Sequence, residues 1–342
     1  MAVAAELRAS GAEVSFLGTR ERIEAELAPA AGYEIDYLKV RGIDRRNPLR
    51  AAGAVFEAIG AVAAARRAIR RRGADVVIGG GGFVAGPAGL AAATLRTPLV
   101  LTEADSHMGL ANRLLAGRAK RVCLAFPIAG REGERYLVTG RPVPDAVLKA
   151  DRARARERFG VEPGAKALLV MGGSQGARSI NQAAITAFAG RPGRDFDVIH
   201  LAGRRDYDDL SQRLAGSTHA ERYTLLAYEP DLGDTLAACD LVLGRSGGSI
   251  FEVTAVGRPA VLVPYPHATA DHQSANAAWM EKAGAAIVIA DADLDADRLA
   301  AEVGGLFGAG ERLAAMAAAS ASIAKPDAAR RIADQVLLAA AR

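Results

Sequence analysis

An apolar run, Leu168-Leu169-Val170-Met171, opens directly onto Gly172-Gly173-Ser174-Gln175-Gly176 and then onto Ala177-Arg178-Ser179-Ile180-Asn181, which reads as the start of a helix. Residue types in this order can hold a phosphate. Glycines let the backbone approach a ligand closely, Ser174 and Gln175 can donate side-chain hydrogen bonds, and a helix amino end supplies free N–H groups and a partial positive charge. The same pattern also serves as a plain strand-to-helix connection.

Three further clusters sit after apolar runs. Gly79-Gly80-Gly81-Gly82-Phe83-Val84-Ala85-Gly86-Pro87 has more glycine than a turn needs, which suits close approach of a substrate or an opposing domain, or a flexible connection. Gly244-Arg245-Ser246-Gly247-Gly248-Ser249 opens a helix carrying Glu252, whose carboxylate could accept hydrogen bonds from the vicinal hydroxyls of a ribose or could simply favour a helix amino end. In Pro264–Asn276, Gln273 and Asn276 lie three apart on one helical face, and amides so placed suit sugar hydroxyls. His267 and His272 have no third ligand at metal-site spacing, so no metal is expected. The acidic run Asp291–Asp297 reads as a solvated helix start with capping aspartates.

These clusters need elements to position them. Short, continuously apolar strands alternate with helices, the pattern of parallel sheets covered on both faces. In the first half the spacing predicts strands at 13–17, 34–39, 75–78, 98–102, 121–124 and 136–138, with helices at 2–10, 20–29, 49–72, 86–95 and 108–116. In the second it predicts strands at 167–171, 196–201, 222–227, 240–243, 260–263 and 285–288. Helices are predicted there at 177–189, 205–214, 231–237, 249–256, 270–283, 294–306, 310–321 and 326–341. Two doubly wound α/β domains follow, 1–145 and 146–325, with the C-terminal helix 326–342 returning to the first. In such sheets ligands bind beyond the carboxyl ends of the strands, so two facing domains would hold the chemistry in a cleft between them.

Composition bounds the partners. The chain has 342 residues and a net charge of +4; residues 1–140 carry 20 Lys and Arg against 14 Asp and Glu, the remainder 23 against 25. That basic half points to a phosphate-bearing ligand or an anionic membrane surface and is too weak to argue for nucleic acid. The helix over 49–72 ends in Arg66, Arg67, Arg70, Arg71 and Arg72, which reads as a surface helix whose cations complement its dipole, or as a lipid-docking element. Cys123 and Cys239 lie in apolar stretches and read as buried thiols of a reducing compartment. Neither a signal peptide nor a membrane span is apparent.

In their order along the chain, Gly79–Pro87, Gly172–Arg178, Arg245-Ser246-Gly247 with Glu252, and His272-Gln273-Ser274-Ala275-Asn276 resemble the MurG family of glycosyltransferases. The resemblance runs from the first residues to the C-terminal helix. It implies the GT-B fold and transfer of N-acetylglucosamine, with inversion, from UDP-N-acetylglucosamine to the 4-hydroxyl of the muramyl unit of lipid I at the inner face of the cytoplasmic membrane. No cofactor is implied. By motif position, Gly172, Gly173, Ser174, Gln175 and Gly176 would contact the diphosphate. Glu252 would take the ribose, Arg245, Ser246 and Gly247 the uracil region, and Gln273 with Asn276 the sugar. Gly81, Gly82, Asp105 and Asn112 would lie on the acceptor side.

The chain departs from the family pattern in three places. The family's first strand, first glycine-rich loop and general-base His would precede Met1, which leaves the N-terminal sheet without a central strand and its neighbours with unpaired backbone groups. Thr102-Glu103-Ala104-Asp105 stands where the family has His-Glu-Gln-Asn, so Asp105 takes an Asn position, and Pro144 replaces an Arg. His107 could substitute as base, although Asp105-Ser106-His107 also reads as a helix cap. Another GT-B glycolipid transferase, or a UDP-sugar-binding protein without catalysis, are the alternatives.

Overall fold

The computed structural model describes residues 1–40, 48–173, 176–268 and 271–341, with the backbone alone for 48–56 and 58. Ser174 and Gln175 therefore lie outside the described residues. The chain divides into two compact units, Met1–Pro142 with Asp327–Arg342, and Val143–Pro326.

In the first unit the strands are β1 (Ser15–Gly18), β2 (Glu34–Tyr37), β3 (Val77–Gly79), β4 (Leu99–Glu103), β5 (Arg121–Leu124) and β6 (Tyr136–Val138). Its helices are α1 (Ala2–Ala9), α2 (Glu24–Ala30), α3 (Pro48–Arg72), α4 (Gly82–Leu95) and α5 (Leu110–Leu115). The strands form two ladders rather than one sheet: β1 pairs with β2, and β3-β4-β5-β6 run side by side, all parallel. Among the described residues, β1 and β3 thus each keep one edge without a strand partner.

Alternation along β4 fixes what covers each face. Leu99 and Leu101 pack with Ala61, Ala65, Ala91 and Ala92 of α3 and α4, whereas Val100 and Cys123 pack with Leu7 and with Ile332 and Val336 of the C-terminal helix. The small residues of α4 permit close packing: a Cβ on Gly89 would sit 2.4 Å from Leu115 Cδ1.

The second unit has β7 (Lys166–Met171), β8 (Phe196–Leu201), β9 (Tyr223–Leu226), β10 (Leu241–Gly244), β11 (Ala260–Leu262) and β12 (Ala286–Val288). Its helices are α6 (Asp145–Leu148), α7 (Arg152–Phe159), α8 (Arg178–Phe188), α9 (Tyr207–Ala215), α10 (Leu232–Ala238), α11 (Ile250–Ala255), α12 (His272–Lys282), α13 (Ala296–Gly308) and α14 (Gly310–Ser322). The last helix, α15 (Ala328–Ala340), belongs to the first unit.

The six strands form one parallel sheet in the order β12-β11-β10-β7-β8-β9. From β7 the chain winds outward through β8 and β9, then returns to start again at β10. The order therefore reverses between β7 and β10, and in sheets of this kind ligands bind beyond the carboxyl ends of the strands at such a switch point. Ala167 through Val170 and Leu241 through Leu243 are completely buried, as strands covered on both faces must be.

Two helices differ from expectation. α4 begins at Gly82, inside the glycine run predicted to precede it, and the short α6 lies where no helix was predicted. The Arg-rich end of α3 pairs with β2 at the surface: Arg71 and Arg72 pair with Asp36, and Arg72 also with Glu34.

Candidate functional site

Beyond β7, the loop closes on itself and on its neighbour. A Cβ on Gly172 would lie 2.2 Å from Ala177 N, and one on Gly176, whose φ is +75°, would lie 2.2 Å from Ala202 O. Only glycine fits either position. Gly173, at φ +81°, faces open space, and Gly176 N donates to Gly173 O at 2.9 Å. α8 follows with Ala177 as its cap residue and no side chain capping it among the described residues. Among the described residues no side chain takes its first N–H groups, which can face an anion at the switch point of the sheet.

Arg245, just past β10, holds this region together. Its Nη1 donates to Val263 O and Pro264 O at 3.1 Å each and to Asp291 Oδ1, while Nη2 donates to Ser179 Oγ at 2.8 Å. Ser179 Oγ in turn donates to Asp291 Oδ1 at 2.7 Å. One guanidinium thus joins the start of α8, the end of β11 and the turn at Asp291. Burial pushes the Asp291 carboxyl up, but the Ser179 and Arg245 hydrogen bonds and the Arg245 charge outweigh it, and its pKa lies below the usual carboxylate value. Asp291 is therefore no solvated helix start; within that acidic run it is Asp295 that caps α13, accepting from Arg298 N at 2.7 Å.

The neighbouring loop is locked to α12. Ser246 is completely buried and its Oγ donates to Gln273 O at 2.7 Å; Asn276 Nδ2 donates to Ser246 O at 2.9 Å; Gln273 Oε1 accepts from Tyr265 N at 3.0 Å. Asn276, expected to face sugar hydroxyls, instead has a buried side chain that serves the loop backbone. Gly247 lies beside Gln273, and Glu252 sits half-buried in the first turn of α11. The structure thus gathers Gly172, Gly173, Gly176, Arg245, Ser246, Gly247, Gln273 and Asn276 at one end of one sheet. Pattern reading missed Ser179 and Asp291, because their partner Arg245 is distant in sequence; a serine in the first turn of the helix after the glycine loop was the available signal.

The first unit has a smaller counterpart. Gly81 (φ +80°) caps α4, Gly82 (φ +75°) begins it, and a Cβ on Gly81 would lie 3.7 Å from Asn112 Nδ2. At the end of β4, Glu103 Oε1 accepts from Ala104 N and Asp105 N at 3.0 and 3.3 Å, and Oε2 from Gly109 N and Asn112 Nδ2 at 2.8 and 2.9 Å. Asn112 also donates to Thr102 O at 2.9 Å and is completely buried. It organises the loop that presents Asp105 and His107 and has no surface to offer a ligand. Among the described residues no cluster of His, Cys, Asp and Glu could hold a metal ion, and no helix is long and apolar enough to cross a membrane.

Known proteins match along the whole chain. The glycosyltransferase family 28 N-terminal domain matches residues 1–124 and the family 28 C-terminal domain matches residues 167–332. The UDP-N-acetylglucosamine–N-acetylmuramyl-(pentapeptide) pyrophosphoryl-undecaprenol N-acetylglucosamine transferase of Moorella thermoacetica is 40% identical over 96% of this chain and 91% of its own length. The enzyme of the same name from Halothermothrix orenii is 35% identical over 95% and 91%. The chain belongs to the MurG family of glycosyltransferases. The crystal structure of Acinetobacter baumannii MurG superposes with a TM-score of 0.81 at 27% identity, covering 98% of this chain and 94% of that one. MurG-family membership makes the fold GT-B, two Rossmann-like parallel-sheet domains, as the family pattern implied.

Proposed function

We propose that this chain transfers N-acetylglucosamine from UDP-N-acetylglucosamine to the 4-hydroxyl of the N-acetylmuramyl unit of lipid I, giving lipid II. The observation that carries the reading is the Gly172–Gly176 loop with the uncapped start of α8 at the sheet's switch point. There the diphosphate lies against the loop N–H groups, with Glu252 on the ribose, the Arg245–Gly247 backbone near the uracil, and Gln273 toward the sugar. The acceptor oxygen bonds to the anomeric carbon from the opposite face as the bond to the β-phosphate breaks. Both electrons of that bond leave on UDP, and the hydroxyl proton passes to a general base. Loop N–H groups and the helix dipole take up the charge on the departing UDP.

The acceptor belongs to the first unit, around Gly81, Gly82 and the loop of Asp105. Exposed Phe83 and Leu90 on α4 and Leu110 and Leu114 on the adjoining α5 support a peripheral seat on the inner face of the cytoplasmic membrane. Transfer of labelled N-acetylglucosamine to a lipid I analogue tests the reaction. UDP-N-acetylglucosamine binding without transfer to that acceptor would favour another GT-B acceptor or a binding role. Flotation with anionic vesicles tests the membrane seat: Phe83→Ser with Leu114→Ser should abolish it and leave the melting temperature unchanged.

A further inference from the structure

After β8 the chain runs Ala202-Gly203-Arg204-Arg205-Asp206 into α9, and Gly176 of the phosphate loop rests on this segment, where its Cβ would touch Ala202 O and come within 3.3 Å of Gly203 Cα. Beneath it lies a hydrogen-bonded chain built from three elements. Tyr223 Oη is 2.8 Å from His200 Nδ1, and His200 Nε2 is 3.0 Å from Asn181 Oδ1. Asn181 Nδ2 donates to Ala202 O at 2.8 Å and to Asp206 Oδ2 at 3.0 Å. Asp206 then receives both Nε and Nη2 of Arg205, at 2.8 and 2.9 Å.

The directions are set by chemistry. Asn181 spends its NH2 on two acceptors, so its oxygen accepts from His200 Nε2–H, and His200 Nδ1 accepts the Tyr223 hydroxyl. His200 and Asn181 are completely buried, and burial pushes the imidazole pKa down to about 3, so the chain holds one neutral arrangement across the physiological range. It is a rigid support with no titrating member near neutrality.

At the end of that support stands Arg205. Its side chain is 58% exposed, and Nη1 makes no hydrogen bond to the described residues. Arg205 also lies within electrostatic reach of Tyr265, which follows β11. β8 and β11 flank the pair β7 and β10, so a guanidinium that starts beyond β8, next to the segment on which Gly176 rests, lies on the side of the switch point. Arg178 lies within electrostatic reach of the same Asp206 carboxylate, a second cation beside it.

We propose that Arg205 is a donor-binding residue that neutralises the diphosphate of the sugar nucleotide, with Asp206, Asn181, His200 and Tyr223 as the positioning residues that aim it. The proposal rests on the reading of Gly172–Gly176 as the diphosphate loop. When the anomeric bond breaks, the β-phosphate oxygen takes its electron pair and gains one negative charge. A fixed cation there binds the departing UDP more tightly than the intact donor and so raises kcat.

Calorimetric titration with UDP and with uridine, alongside transfer kinetics, tests this. Arg205→Met is expected to weaken UDP about 10-fold while uridine binds as before, and to lower kcat by a larger factor than it raises KM. Arg205→Lys should restore part of the UDP affinity, since a point charge replaces a fork. Asp206→Asn, which keeps Arg205 but frees it, should lose a few-fold in kcat with less effect on UDP affinity. Equal UDP affinity in wild type and Arg205→Met would overturn the assignment and leave the loop reading intact. Failure of the folded wild-type chain to bind UDP at all would overturn both.

Discussion

The two glycine-rich strand ends of this molecule look alike in sequence and are built on opposite principles. In the first unit a buried carboxylate, Glu103, gathers backbone N–H groups beside the glycines; in the second a partly buried guanidinium, Arg245, gathers backbone carbonyls. Gly82 faces open space, whereas Gly172 and Gly176 are pressed against backbone. A glycine run therefore does not by itself identify a phosphate site. What lies under it differs: a guanidinium clamp and, among the described residues, a helix start without a side-chain cap favour an anion, and a collected negative charge does not.

The sharpest way to break this contrast is to add one methyl group to each loop. Gly176→Ala drives a Cβ into Ala202 O at positive φ, and the expected cost is about 4 kcal/mol or more, with loss of UDP binding beyond about 100-fold. Gly82→Ala meets only backbone strain, about 1–2 kcal/mol, and should leave UDP affinity unchanged. Melting curves and UDP titrations of both variants decide it; equal behaviour would mean the loops are equivalent.

Acid separates the units next. His200, in the second unit, has its folded pKa lowered by burial to about 3, below the unfolded value of about 6.5, so the unfolded chain takes the proton first. Its contribution is complete above about pH 6.5 and drains away as pH falls toward about 3, with about 3 kcal/mol gone by pH 4.5. Asp206 and Asp291, both lowered, weaken the same unit as pH falls further through the carboxylate range. Segment-resolved hydrogen exchange should show β7, β8 and α8 opening before β4 and β5; the reverse order would contradict the comparison.

A third test sits at the first unit's carboxylate. Glu103→Gln puts an NH2 group where one of two oxygens now accepts backbone N–H, and should cost about 2 kcal/mol, read as a drop of several degrees in melting temperature. UDP affinity should not move, since the proposed donor loop belongs to the other unit.

Most strands and helices were legible because the central strands are short, mainly apolar runs and the helices follow at α/β spacing; boundaries shifted by a few residues at most in nearly every element. The start of α4 was not, because Gly82, Gly86 and Pro87 argue against a helix locally, yet small residues are what allow α4 to sit against Leu115. Of the donor loop, the glycines were legible in the residue order. The roles of Asn276, Asn112 and Asp291 were not: a polar side chain near a site looks the same in sequence whether it faces a ligand or holds the backbone that does. Only the strand order brings Tyr223, His200 and Asn181 into one line.

The finest test separates the charge of the Arg245 clamp from its geometry. Asp291→Asn removes the anion but leaves a carbonyl oxygen of similar shape for Ser179 and for Nη1 of Arg245. Arg245 also keeps Val263 O, Pro264 O and Ser179 Oγ, so the guanidinium stays in place with its charge no longer offset. The expected loss is about 1 kcal/mol, seen as a shift of a few degrees in melting temperature. UDP affinity should hold or rise slightly, because net positive charge beside the α8 start increases. If UDP affinity instead falls severalfold while the fold persists, Asp291 acts by orienting the clamp, and the contrast between the two strand ends is one of geometry rather than of charge.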